Sequence, residues 1–247
     1  MIEKLKIVAD RIKNAKKLVV LTGAGISKAS GIPTFRGKDG LWSKYSPSEL
    51  ATYEAFSKNP KLVWQWYNYR RKIIKEAEPN AAHYALVELE KMFGDNFALI
   101  TQNIDSLHKR AGNKNVYELH GNIFETKCLI CDKIYFDDKI YSDDELPPKC
   151  VYCGGKTRPN VVWFGENLDR DILDKAMSLA AQCDVMLVVG TSGMVQPAAS
   201  LPKITHDIKG IVFEFNTEYS GVSIYAEEVI IGKSEETLPE LVNLLKC

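Results

Sequence analysis

No apolar run in this 247-residue chain reaches the roughly 20 residues needed to cross a bilayer, and its first residues lack the apolar stretch of a secretory signal. Residues 1–16 are amphipathic and lysine-rich, as in a transit peptide. However, Glu3 and Asp10 interrupt that pattern and the segment runs straight into an apolar strand, so it reads as a first helix. Neither sign of charge is in excess: Lys+Arg and Asp+Glu both total 32. That balance argues against strong unspecific attraction to nucleic acid or anionic membrane and leaves room only for a local patch. Internal repeats and low-complexity tracts are missing as well. Six cysteines without a secretory segment disfavour a disulfide framework and point to metal or free thiols in a cytoplasmic protein.

A further absence is local. Residues 18–21 (LVVL) form a short, mostly β-branched apolar run, as in a strand buried on both faces. Gly23-Ala24-Gly25 follows, where a backbone can approach a phosphate closely. The dinucleotide fingerprint places its third glycine at position 28, which is Lys28. An ordinary dehydrogenase loop is therefore excluded. The loop instead continues through Ser27, Ser30, Pro33, Phe35 and Arg36, supplying hydroxyls, an aromatic face and a guanidinium fork for a pyrophosphate and a flat ring.

Strands and helices then alternate. Further strands are expected at 97–101, 116–119, 185–189, 211–215 and 229–231, with the rhythm resuming at 160–164 after a cysteine-rich interruption. Asn59-Pro60 and Asn80 read as caps of two helices, and 169–182 as another. Thr237-Leu238-Pro239-Glu240 resembles the capping box of the last. The alternation predicts an α/β fold: a doubly wound, Rossmann-like parallel sheet with a smaller zinc-ribbon and helical module inserted. The expected division is 1–36, 78–122 and 159–247 for the sheet domain, with 37–77 (helical) and 123–158 (zinc ribbon) forming the small one. Polar clusters recur after strand upon strand: Gln102-Asn103, His120-Gly121, Gly190-Thr191-Ser192 and Asn216.

Cys128-x2-Cys131 and Cys150-x2-Cys153 have the spacing of a four-cysteine zinc site, and four thiolates leave no open position, so the metal is expected to be structural. Cys183 reads as a small core residue and Cys247 is terminal. Of the four histidines, His83 and His206 suit packing or solvent contact, and His108 a structural role. His120 ends a strand on the edge that carries the glycine loop and suits a general base near neutral pH.

The ordered set GAGIS, GIPTFRG, TQNID, LHG, paired CxxC, VVWFGE and GTS resembles the sirtuin family of NAD-dependent protein deacylases. The resemblance implies that Gly23, Ala24, Gly25, Phe35 and Arg36 contact NAD, and that Gln102, Asn103, Ile104 and Asp105 line the nicotinamide and ribose pockets. It implies His120 as general base, and Gly190, Thr191, Ser192, Asn216 and Lys233 around the adenosine half. Val161, Val162, Trp163, Phe164, Gly165 and Glu166 would pair with an acyl-lysine peptide as an added strand. Tyr67 and Arg70, at i and i+3 on a helix, form a phenol and guanidinium receptor for one carboxylate. With the small Ala51 leaving room, they resemble the desuccinylase and demalonylase branch. Arg71 points about 100° away and serves as a control. The alternatives are a plain deacetylase, a protein ADP-ribosyltransferase, and a silent ADP-ribose-binding module.

Overall fold

The computed structural model describes residues 1–35, 40–41 and 46–247. Six strands make one parallel sheet: β1 (Leu18–Thr22), β2 (Phe97–Thr101), β3 (Val116–Glu118), β7 (Val185–Val189), β8 (Ile211–Asn216) and β9 (Glu228–Ile231). Their spatial order is β3-β2-β1-β7-β8-β9. β1, β2 and β7 are buried at every position, as their unbroken apolar runs require when both faces are covered. On one face, Leu18, Val20, Leu99, Leu187 and Phe213 pack beneath α1 (Ile2–Lys13), α5 (Ala81–Phe93) and α9 (Ser234–Lys246). On the other, Val19, Leu21, Ile100, Val188 and Val212 pack on α7 (Arg170–Ala180) and α8 (Leu201–Asp207). The order reverses between β1 and β7, which makes their carboxyl ends the topological switch point of the sheet.

A smaller antiparallel sheet holds β4 (Gly121–Cys128), β5 (Ile134–Phe136) and β6 (Thr157–Val161), in the order β5-β4-β6. This corrects the strand expected at 160–164. Residues 157–161 pair with β4 instead of joining the parallel sheet, and 162–164 continue beyond as a connection. The reason lies at Gly121. Its φ of 77° turns the chain out of the parallel sheet directly after β3, and an added Cβ there would lie 2.2 Å from the Asn160 carbonyl oxygen. The opening of α9 is also corrected. The helix starts at Ser234, so Pro239 lies inside it, and Thr237 bonds back to the Lys233 carbonyl rather than capping.

Three further helices, α2 (Pro47–Leu50), α3 (Tyr53–Lys58) and α4 (Pro60–Glu76), pack together, and α6 (Leu107–Ala111) follows β2. α4 starts as expected, with the Asn59 side chain accepting the Leu62 N–H and Pro60 at the first position. Its Trp64, Trp66, Tyr67 and Ile74 form one core with Ile123, Phe124, Leu146, Val161 and Trp163. Arg71 is also inside. It is 0% exposed, donates to the Ile123 carbonyl (2.7 Å) and Thr126 Oγ1 (3.1 Å), and pairs with Asp137 (3.1 Å). It is a structural tie between α4 and the small sheet rather than a passive control.

Candidate active site

The carboxyl ends of the parallel strands bring the expected polar clusters together. Gly25 donates its N–H to the Gly190 carbonyl at 2.8 Å, and Gly23 to that of Val189 at 3.0 Å. A Cβ on Gly23 or Gly25 would sit 2.7–2.8 Å from Gly190. These glycines therefore let the loops after β1 and β7 touch across the switch point; the expected close backbone approach is, in the first place, to another backbone. Residues Ala24–Ser30 wind as a short 3-10 helix, ended by Gly31 with φ 85°. Arg36 lies outside the described residues.

Beneath the loop runs a closed polar mesh. Asn103 Nδ2 donates to the Gly23 carbonyl (3.1 Å) and to Ser27 Oγ (3.3 Å), and Ser27 Oγ donates to Asp105 (2.7 Å). Asp105 also accepts the Leu107 N–H at 2.9 Å. Burial pushes the Asp105 carboxyl up, opposed by the Leu107 and Ser27 hydrogen bonds and by Arg70. Gln102 Nε2 reaches Thr191 Oγ1 at 3.0 Å, while Ile104 is buried in the α4 core. Further along the edge, Asn216 donates to the Thr191 carbonyl (2.9 Å) and to Glu214 (3.1 Å). The Gly232 N–H bonds to the Asn216 carbonyl, which brings the Gly232-Lys233 backbone alongside. Ser192 sits in the same loop, its carbonyl accepting the Gly221 N–H.

His120 stands where β3 ends. Its Nδ1 lies 2.9 Å from the Gln102 carbonyl oxygen. A carbonyl only accepts, so Nδ1 carries the proton and Nε2 keeps its lone pair. Burial holds the imidazole below its ordinary value, against the opposing Gln102 bond, so it is neutral and basic at neutral pH. His108 and His83 differ. His108 Nε2 meets Thr22 Oγ1 at 2.9 Å, and His83 Nδ1 accepts the Asn80 N–H in a capping box. Both are buried, His83 inside the core rather than facing solvent.

On the α4 side, Tyr67 is 3% and Arg70 6% exposed. The Arg70 guanidinium lies 4.7 Å from the Phe35 ring centroid and 5.8 Å from those of Trp66 and Tyr67. It has no hydrogen-bonding or ionic partner among the described residues. Burial lowers its pKa, with Tyr67 and Asp105 opposing, yet a guanidinium stays charged. Burial also pushes the Tyr67 phenol up, keeping it protonated. Phe35, assigned by resemblance to NAD, thus also forms one wall against Arg70. Ala51 and Phe164 meet through the Phe164 N–H and the Ala51 carbonyl (2.9 Å), and Val162 donates to the His120 carbonyl (3.0 Å). Val161 is buried, whereas Phe164 and Gly165 are exposed. Glu166 accepts from Arg158 Nη2 (2.9 Å) and the Trp163 N–H (2.8 Å). Arg158 escaped sequence reasoning: a basic residue beside Pro159 carries no local sign that it will be buried and paired.

The four cysteine Sγ atoms of the zinc motif lie within 4.8 Å of one another, with 128–153 at 3.5 Å and 131–150 at 3.8 Å. A tetrahedron with Zn–S bonds of about 2.3 Å has edges of about 3.8 Å. Backbone N–H groups of Ile130, Cys131 and Tyr152 point at Cys128 and Cys150 sulfur, as thiolates require. The donors fit one structural Zn2+.

The Sir2 family pattern matches residues 23–197. A Pyrococcus abyssi protein named NAD-dependent protein deacylase is 52% identical, covering 96% of each chain. An Aquifex aeolicus protein of the same name is 49% identical over 93% of this chain and 95% of its own. Among solved structures, a Sir2 homolog–NAD complex superposes with a TM-score of 0.91 at 45% identity, covering 97% and 93% of the two chains. A Sir2–p53 peptide–NAD+ complex gives 0.86 at 36% identity over 97% of each.

Proposed function

The chain belongs to the Sir2 family, and from that premise we propose that it is an NAD-dependent protein-lysine deacylase preferring acyl groups that end in a carboxylate, succinyl or malonyl, over acetyl. NAD binds across the switch point between β1 and β7, with its adenosine half along the ends of β7, β8 and β9. The acyl-lysine peptide adds as a strand along 161–166. The acyl amide oxygen attacks the ribose carbon as nicotinamide leaves. His120 Nε2 then takes the proton of a ribose hydroxyl, and the acyl group passes to the nucleotide. After water adds, free lysine and O-acyl-ADP-ribose are released.

One observation carries the acyl preference: a buried guanidinium and a buried phenol share a wall, and neither has an acceptor for its protons among the described residues. Burying a charge without an acceptor is unfavourable. A carboxylate delivered by substrate supplies what is missing, and an acetyl group does not. Arg70→Met keeps the stem and removes the fork. Hydrogen bonds to charged groups contribute about 1.5–3 kcal/mol, so the succinyl-to-acetyl ratio of kcat/KM is expected to fall roughly ten- to more than a hundredfold. Equal losses on both peptides would make Arg70 structural and leave a general deacetylase. Radiolabel from NAD left on protein would instead indicate ADP-ribosylation.

A further inference from the structure

The Trp163 indole N–H lies 3.0 Å from the Tyr67 hydroxyl oxygen, and both side chains are buried. Indole nitrogen only donates, so in this pair the phenol oxygen accepts. The Tyr67 proton is thereby turned away from Trp163, and no other acceptor for it exists among the described residues. A phenol free of such a donor could present either its proton or its lone pairs to a ligand.

Trp163 is itself held on several sides. Its backbone N–H donates to Glu166, and the Arg158 guanidinium lies over its ring, 3.5 Å from the centroid. The Phe56 ring packs at 5.2 Å. Arg158, 8% exposed, donates to Glu166 Oε2 (2.9 Å) and to the Val161 carbonyl (2.8 Å). Burial works against the Glu166 anion, but Arg158 and the Trp163 N–H outweigh it and hold its carboxyl below the usual range. The clamp therefore stays ionised at neutral pH and fixes the indole plane.

We propose that Trp163 is a specificity-determining positioning residue: its indole N–H commits the Tyr67 hydroxyl to donating toward the acyl group, and the Arg158–Glu166 pair holds the indole in place. The device favours acyl groups with an acceptor at their far end. It rests on the carboxylate preference proposed above and names a residue that makes it work.

Trp163→Phe keeps an aromatic ring and deletes the N–H, so it is tested in a cycle with Tyr67→Phe, reading kcat/KM on matched succinyl and acetyl peptides. A net hydrogen bond's worth of lost orientation is expected to lower the succinyl-to-acetyl ratio about three- to tenfold. In the Tyr67→Phe background, the same change is expected to leave the ratio where Tyr67→Phe put it. An unchanged ratio for Trp163→Phe, or two effects that simply multiply, overturns the inference. Should Trp163→Phe fail to fold, Arg158→Lys takes its place. It keeps the charge but loses the two-pronged grip, and a fall of about twofold that vanishes in the Tyr67→Phe background is expected; no fall overturns the clamp. If Arg70→Met collapses the ratio while these variants do not, only this inference falls. If Arg70→Met leaves the ratio alone, the carboxylate reading falls with it.

Discussion

Two neighbouring arginines on α4 face opposite regions of the molecule. Arg71, toward the small sheet, spends its donors on the Ile123 carbonyl, Thr126 and Asp137, and Tyr141 donates to the same carboxylate at 3.0 Å. Arg70 is nearly as buried, lies against aromatic faces, and has no hydrogen-bonding partner among the described residues. A buried charge whose hydrogen bonds close within the protein is structural. One left open among the described residues is, on the proposed reading, matched by a substrate carboxylate. The same division runs through the rest of the site. Ser27, Asn103 and Asp105 satisfy one another, as the four cysteines would around zinc. His120 is satisfied at Nδ1 and has no partner at Nε2 among the described residues.

The comparison breaks most severely at the zinc. Structural zinc sites contribute on the order of 10 kcal/mol to folding. Chelation, or Cys128→Ala, is therefore expected to unfold the small sheet and remove activity on every acyl group alike. A metal-free protein with its full melting temperature and turnover would refute the structural assignment.

Next in size is His120→Ala, an open group. Removing a general base costs roughly 10²–10⁴-fold in turnover, while NAD affinity is expected to be largely kept. The pH profile of kcat/KM sharpens the point. Burial lowers the folded imidazole's pKa, so the neutral, competent form persists below the ordinary value. Activity should then be lost as pH falls through a value under 6.5. An acid limb above 6.5, or a variant with near-normal turnover, would assign the proton transfer elsewhere.

Smallest in its effect on chemistry is Arg71→Met, on the closed side. Leaving Asp137 buried without its partner should cost about 3–5 kcal/mol of stability, read from denaturant unfolding. The succinyl-to-acetyl ratio of the folded fraction should hold. A ratio that collapsed as is expected for Arg70→Met would erase the distinction between the two arginines.

Much of this was legible in the residues themselves. Unbroken apolar runs marked β1, β2 and β7 because a strand covered on both faces needs no polar side, and Asn59-Pro60 and Asn80 marked helix starts through local capping chemistry. The cysteine spacing identified the metal motif, since two short knuckles carry their own geometry. Polar groups after successive strands were legible as neighbours on one edge of the sheet, because parallel strands all end on one side.

Other features depended on partners distant in sequence. The fate of 157–161 was decided by Gly121, which turns β4 out of the parallel sheet and brings it beside that segment. Gly23 and Gly25 show their packing role only once β7 delivers Gly190 against them. Helical spacing separated Arg70 from Arg71 by about 100°, but it did not say that both would be buried or which would find a carboxylate. That depended on Asp137, 66 residues beyond Arg71, being folded against it. Trp163 met Tyr67 across 96 residues in the same way. Local sequence specifies backbone form and capping, because those energies act over a few residues. Whether a buried polar group is closed or open depends on which distant elements the core brings together.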